Sequence, residues 1–533
     1  MTYHRVPVLI VGGGYAGLSA ALLLAWRDIP VMLVERRPGT SLQPKAFGVN
    51  HRAVELLRSV PGVEQELSDL WAGIGDNLRI AIASALDDPD PQMIVSDERE
   101  EFAFMAEATP AALVGAPQAE VERILRERAE DLGADLRFST ELVALHQDGA
   151  GVTATVRSDD GPVTVRADYV VAADGYRSPL RRSLGIPVTG KGELGRMCSI
   201  MFDADLSGLV REREVTLWYL RNDAMTGVIL TGTGVGAHVL AVNYDTGAGR
   251  SEADFTPERC VELARVATGV PDLAVKLLDR TSFAMAHVLA GRYREGRVFL
   301  AGDAAHTMPP TGGQGGSLAL QDGADLAWRL WLVITGQAGP DFLDSYDAER
   351  RPIGVMTADA QLANLGMRMP PAARVGYPEP LGDPQGAVLG ARYHSTAVIE
   401  DPDDDGSLLE DPRHPTGRPG SRAPHVPLTW EGRPMSTIDL FGGGFVLLAD
   451  GEGGQSWSDA GRLVSRRLGV ALSRVVLGHD AVDVKGEWRS RYGVGAGGAV
   501  LVRPDGYVAW RATGPAPEPA TALESALRRV LSR

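Results

Sequence analysis

The run Val6-Pro7-Val8-Leu9-Ile10-Val11 leads directly into Gly12-Gly13-Gly14-Tyr15-Ala16-Gly17, and this junction decides the fold. The apolar run has the length and composition of a buried strand. Ala16 to Trp26 is Ala- and Leu-rich helix, and Val31-Met32-Leu33-Val34-Glu35 is a second strand. A crossover of this kind is right-handed. It sets the strands side by side in a parallel sheet and aims the helix N-terminus at the crevice beyond their carboxyl ends. In the spacing Gly12-x-Gly14-x-x-Gly17 the first glycine makes the tight turn, the second lets backbone approach a pyrophosphate, and the third lets helix pack on sheet. Glu35, 18 residues after Gly17, is placed to accept from a ribose hydroxyl. The fingerprint predicts a bound dinucleotide and leaves NAD and FAD both open.

Outward from this motif the chain reads as a soluble α/β protein of several domains. Its 533 residues are 44% apolar, with 69 acidic against 53 basic side chains, a net charge of −16. That balance weighs against nucleic acid, although Arg177, Arg181 and Arg182 could hold one small anion. Cys198 and Cys260 make no disulfide framework or Cys-x-x-Cys pair, which fits a reducing cytoplasm. The first apolar run is too short for a signal-peptide core, and no stretch approaches the ~20 apolar residues of a membrane span. The histidines are scattered without metal-ligand spacing, so no metal is expected.

Periodicity predicts a helix over 118–132 and alternating strands at Leu136 to Phe138, Leu142 to Leu145, Val152 to Val156 and Val163 to Val165, before the apolar strand Tyr169 to Ala173. Residues 185–290 turn to strands such as Thr216 to Leu220 and His238 to Val242, the pattern of a mostly antiparallel sheet inserted into the nucleotide domain. The nucleotide domain is therefore read as discontinuous, 1–184 with 291–399. Asp, Pro and Gly enrichment over 400–425 reads as a linker, and a separate α/β unit follows to residue 533.

A second motif, Leu300-Ala301-Gly302-Asp303-Ala304-Ala305-His306, again ends an apolar strand with a carboxylate. Pro309, Pro310, Gly312, Gly313, Gln314, Gly315 and Gly316 follow, then a helix from about Ser317 to Ile334. A loop of backbone N–H groups at a helix N-terminus suits negative charge on a flavin ring or its phosphates, which favours FAD. A third motif, Ala173-Asp174-Gly175-Tyr176-Arg177-Ser178, also follows a strand and lies between the other two.

With these three motifs in this order the chain resembles the single-component FAD-dependent aromatic hydroxylases, the group named after para-hydroxybenzoate hydroxylase. It is nearest to the polyketide and anthracycline hydroxylases of the aklavinone 11-hydroxylase type. Glu35-Arg36-Arg37-Pro38-Gly39, Glu55-Leu56-Leu57-Arg58, Phe202 to Gly208, Asp254-Phe255-Thr256-Pro257, Arg418-Pro419-Gly420 and Val502-Arg503-Pro504-Asp505-Gly506 carry the likeness over essentially the whole chain.

The resemblance implies a Rossmann-like FAD domain, an inserted substrate sheet, and a thioredoxin-like C-terminal domain in which, without cysteine, thiol chemistry has no place. It implies NADPH or NADH as cosubstrate, O₂, and hydroxylation of a polycyclic phenol through a flavin C4a-hydroperoxide in antibiotic tailoring. The protein would be a monomer or homodimer with no membrane or nucleic-acid partner. The implied FAD contacts are Gly12, Gly14, Tyr15, Ala16, Gly17, Glu35, Arg36, Lys45, Gln118, Asp174, Asp303, Pro310, Gly313, Gly315, Gly316 and Ser317.

Lys45 stands where relatives usually have Arg, and Ser317 where most have Asn. Tyr219 and Arg368 are the implied catalytic pair, a guanidinium facing the phenol being suited to stabilise developing phenolate. Trp218 competes with Tyr219, because strand alternation sends only one of them into the pocket. Baeyer-Villiger oxygenation and a non-catalytic FAD-binding scaffold are the alternatives. An NAD dehydrogenase would lack the flavin's yellow colour, and a flavin halogenase is disfavoured because no Trp-x-Trp pair occurs.

Overall fold

The strands Val298–Leu300, Gly161–Ala172, Tyr3–Val11, Val31–Val34 and Asp135–Arg137 lie side by side in that order, each pair parallel. The computed structural model describes residues 3–41, 46–74, 77–95, 104–210, 214–232, 237–369 and 374–533. Every residue of the helix Tyr15–Ala25 is buried, because it packs against the sheet on one side and against the helices Gln118–Asp131 and Gln314–Ile334 on the others. A hairpin, Glu141–Asp148 with Gly151–Ser158, extends the sheet through antiparallel pairing to Gly161–Ala172. That last strand is continuous from 161 to 172, so the two segments expected at 163–165 and 169–173 are one.

The second sheet has the order His306–Thr307, Lys276–Ala290, Val188–Asp203, His238–Tyr244, Thr226–Thr231, Glu214–Arg221, Asn77–Ala83, Gln92–Val95. Three of its strands lie outside 185–290: two come from 77–95 and one is His306–Thr307. Asn77–Ala83 pairs in parallel with Glu214–Arg221. Such pairing leaves no local signature of the partner. Alternation gives this sheet two faces: Trp218, Leu220, Leu240 and Val242 pack under the helix Pro257–Thr268, while Leu217, Tyr219, Leu230 and Ala241 face the other way, toward the first sheet.

The C-terminal unit has the strand order Leu472–Leu477, Phe445–Asp450, Ala499–Val502, Val508–Ala512, with the first pair parallel and the others antiparallel. Along the chain the unit runs as a βαβ segment followed by a hairpin and a final helix, Pro519–Val530. It is not tethered loosely: Trp328 and Leu332 of the helix Gln314–Ile334 share one buried cluster with Phe445, Trp457 and Leu523. Of the segment expected as a linker, residues 419–424 are packed in, while residues 402–414 are largely exposed. Arg392 and Arg422 are buried, and bridges join Arg392 to Ser421 and Arg422 to Tyr507.

Candidate active site

Register brings the three motifs together. Val11 pairs with Val34 and with Ala172, and Ala172 pairs with Leu300, so Gly12, Glu35, Ala173 and Ala301 all leave the sheet from one row. The crevice beyond the carboxyl ends of parallel strands is where α/β sheets bind ligands. Here it opens into a cavity of about 2670 Å³ that runs between the two sheets. Single-ligand pockets are about 300–1,000 Å³, so the volume suits a dinucleotide together with a second molecule.

The glycines divide by what a Cβ would meet. At Gly12, with φ +112°, it would lie 2.1 Å from the Ala173 carbonyl oxygen, and at Gly17 it would lie 1.9 Å from the Gly12 oxygen. Both are required by the protein's own packing. Gly17 is not among the residues that line the cavity. At Gly14 the nearest atom would be Glu122 Oε1 at 3.9 Å. Gly14 is also the N-cap of the first helix and brings no side-chain cap, so first-turn N–H groups remain for an anion. An open approach at an uncapped helix N-terminus fits the pyrophosphate of FAD.

Glu35 is pinned at the strand end, its Oε2 accepting from Gly13 N at 2.8 Å and its Oε1 from Arg37 N at 2.9 Å. Arg36 lies exposed at the rim. Gln118 donates to Glu122 Oε1 at 2.6 Å, and Glu122 Oε2 accepts from Ser41 N at 3.1 Å. This buried carboxylate beside the glycine turn went unnoticed in the sequence, where it reads as one more charge on a polar helix. The Tyr15 ring packs against Gly316, and its buried hydroxyl has no hydrogen-bond partner. Ala16, Asp303, Pro310, Gly313 and Gly315 line the same space, and the helix Gln314–Ile334 begins at Gly313, again without a side-chain cap.

Two of the expected contacts hydrogen-bond within the protein. Ser317, although it borders the cavity, is buried and accepts from Asn50 N at 2.9 Å, which fixes the residue that N-caps the helix His51–Leu57. Asp174 turns both oxygens into its own loop, accepting from Ser178 Oγ at 2.6 Å and Leu180 N at 2.9 Å. Lys45 lies outside the described residues.

On the opposite wall the Arg368 guanidinium lies over the Tyr219 ring, 4.0 Å from its centroid. Trp218 is in the core on the other face, so alternation resolves in favour of Tyr219. Arg368 Nη1 is buried with no hydrogen-bond partner. Burial lowers the Arg368 pKa, and burial raises that of Tyr219 against the opposing pull of Arg368. The phenol is therefore a hydrogen-bond donor at neutral pH. Thr357, Gln361, Asn364 and Arg368 share one side of the helix Asp344–Met367 and its C-cap, and all four line the cavity. Their spacing of four, three and four was visible in the sequence as a polar stripe. Leu217, Leu230, Val239 and Ala241 supply apolar lining from the sheet.

Among the described residues, Asp325, Glu349 and Asp505 have metal-ligand spacing, but Arg329 and Arg503 pair with them.

Residues 5–361 match the profile of a FAD binding domain family, and residues 416–533 match that of the C-terminal region of aromatic-ring hydroxylases. The chain is 42% identical, over the whole of both sequences, to aklavinone 12-hydroxylase RdmE of Streptomyces purpurascens. It is 41% identical to a 4-methyl-5-nitrocatechol 5-monooxygenase of a Burkholderia species, over 99% of this chain and 98% of that one. Its structure superposes on that of an aklavinone-11 hydroxylase in ternary complex with FAD and aklavinone, with a TM-score of 0.93, 41% identity and full coverage of both chains.

Proposed function

This chain belongs to the FAD-dependent aromatic-ring hydroxylases, flavoprotein monooxygenases that draw electrons from NAD(P)H, and on that premise we propose that it hydroxylates a polycyclic, polyketide-type phenol in antibiotic tailoring. The observation that carries the reading is the continuity of one cavity, from the glycine cradle at Gly14 to the Tyr219/Arg368 wall. A multi-ring substrate follows the relatives named for aklavinone rather than the one named for a nitrocatechol.

Bound here, FAD would supply the redox chemistry, activation of O₂ and delivery of one oxygen atom to an electron-rich ring carbon, which no side chain of the chain provides. The chain's residues hold the reactants. Backbone N–H groups around Gly14 and Gly313 would hold the negatively charged parts of the cofactor, Glu35 its ribose, and Asp303 its ribityl chain. Arg368, with one N–H group unpaired and desolvated, stabilises the substrate phenolate, which raises electron density on the ring. Tyr219 donates its O–H to a substrate oxygen, and the Leu217/Leu230/Val239 wall excludes water from the reacting face. The same reading places the enzyme in the cytoplasm as a monomer or homodimer, without membrane or nucleic-acid partners. No described helix is long and apolar enough to cross a membrane.

The test is NAD(P)H consumption by the purified yellow protein with a panel of polycyclic phenols and of monocyclic catechols. Stimulation by the polycyclic set, with a new phenol in the product by NMR, supports the proposal. Stimulation by catechols alone, a ring-inserted lactone, or binding without NAD(P)H consumption each contradicts it.

A further inference from the structure

The C-terminal hairpin pushes its turn, Arg503-Pro504-Asp505-Gly506-Tyr507, into the FAD unit. Arg503 is fully buried and donates through Nη1 and Nη2 to the two Glu349 oxygens at 2.7 and 2.8 Å, and through Nε to Asp505 at 3.0 Å. Glu349, on the helix Asp344–Met367, also pairs with Arg329. The next residue, Arg350, donates to Asp322 Oδ1 and to the Tyr393 hydroxyl, each at 2.9 Å. Asp322 Oδ2 accepts from Gly302 N at 2.9 Å and lies 2.6 Å from His306 Nε2. Gly302 immediately precedes Asp303 and turns with φ +60°. The Tyr393 ring in turn stacks on Tyr507, centroids 4.0 Å apart, and Tyr507 itself lines the cavity.

The contacts run unbroken from a C-terminal turn to the backbone amide that presents Asp303. All the ionic partners are buried, so each has one low-energy arrangement and loss of a partner is costly. A domain joined only for stability would need an apolar interface, which the Trp328/Phe445 cluster already provides. It would not need a route to the flavin turn.

We propose that the C-terminal domain is a positioning element of the flavin site: the Arg503–Tyr507 turn, acting through Tyr393, Arg350 and Asp322, sets the Gly302-Asp303 turn for FAD. The inference rests on FAD occupying this cavity, as the proposed function has it.

The experiment uses full-length apoprotein and two readouts, FAD affinity from quenching of flavin fluorescence and hydrogen exchange at the Gly302 amide. Tyr507→Leu is expected to weaken FAD binding about tenfold and Tyr393→Phe, which removes one acceptor hydroxyl, about threefold, both with faster Gly302 exchange. Tyr507→Phe keeps the stacked ring but loses the hydroxyl that hydrogen-bonds to Tyr393, and is expected to fall between Tyr507→Leu and wild type in both readouts. Combining Tyr507→Leu with Asp322→Asn should weaken FAD no more than the worse single variant, because neighbours in one network are not additive.

Leu523→Ala, in the apolar cluster and outside the ionic and tyrosine contacts of the relay, is expected to lower Tm and leave both readouts unchanged. If Tyr507→Leu fails to fold, Tyr393→Phe against Leu523→Ala decides. Wild-type readouts in Tyr507→Leu and Tyr393→Phe, or equal changes in Leu523→Ala, overturn the inference. A wild-type chain that binds no FAD overturns the functional reading instead.

Discussion

Replacing Gly14 by alanine separates what the fold needs from what the cofactor needs. At this position φ is −92° and ψ −170°, an extended conformation open to any residue. The added Cβ would have its nearest neighbour, Glu122 Oε1, at 3.9 Å, an ordinary contact. The folded apoprotein therefore tolerates the methyl, and the unfolded chain loses freedom, so Gly14→Ala should raise apoprotein stability by about 0.4–1 kcal/mol. FAD should see the opposite effect. The methyl stands where the pyrophosphate must approach backbone N–H groups. Losing one hydrogen bond to a charged group is worth about 1.5–3 kcal/mol, or roughly 10- to 150-fold in Kd.

Urea unfolding of the apoprotein and FAD titration followed by fluorescence quenching measure the two quantities independently. Gly12→Ala is the companion variant, and it should collapse the apoprotein itself, since its Cβ would sit 2.1 Å from a backbone oxygen at φ +112°. The reasoning is refuted if Gly14→Ala binds FAD as tightly as wild type, or if it destabilises the apoprotein.

Further outcomes follow from the same geometry. Arg368→Met should lower kcat about 10²- to 10³-fold, the usual loss for a donor that meets developing charge, while FAD affinity stays unchanged. Arg368→Lys keeps the charge but loses the planar contact over Tyr219, and steady-state kinetics should place it between Met and wild type. Glu55→Gln leaves buried Arg52 and Arg422 without their carboxylate and should cost about 3–5 kcal/mol in urea unfolding.

His51 and His425 are held at about 4 rather than the usual 6.5, principally by burial. The unfolded chain takes up these protons first. Stability is therefore full above about pH 6.5 and falls as pH drops toward 4, with up to two protons bound on unfolding. Urea midpoints at pH 7, 5.5 and 4.5 should decrease in that order.

The nucleotide motif was legible because its information is local. Gly12, Gly14, Gly17 and Glu35 lie within one strand–helix–strand unit, and the chemistry of each follows from the turn it occupies. Tyr219 over Trp218 needed only the sheet's alternation once the pocket side was known. What the sequence hid was distant or masked by partners.

The pairing of Ala81 with Trp218 joins segments with no local sign of each other. Ser317 and Asp174 have the polarity of ligand contacts, yet each spends it on backbone nearby, and only coordinates show which N–H group a hydroxyl or carboxylate faces. Nothing in the sequence marks Glu55 and Arg503 as buried, because burial of an ion is visible only with its counterions. Glu122 was hidden for the same reason, on a helix whose sequence looks solvated.

The central claim is that the cavity directs one oxygen atom from O₂ into an aromatic ring. The most direct measurement is turnover under ¹⁸O₂ with NAD(P)H and an accepted polycyclic phenol, with the product analysed by mass spectrometry and NMR. The account predicts a single ¹⁸O per product molecule, as a hydroxyl on a ring carbon. Oxygen drawn from water, or NAD(P)H consumed without oxygen reaching the substrate, would contradict it.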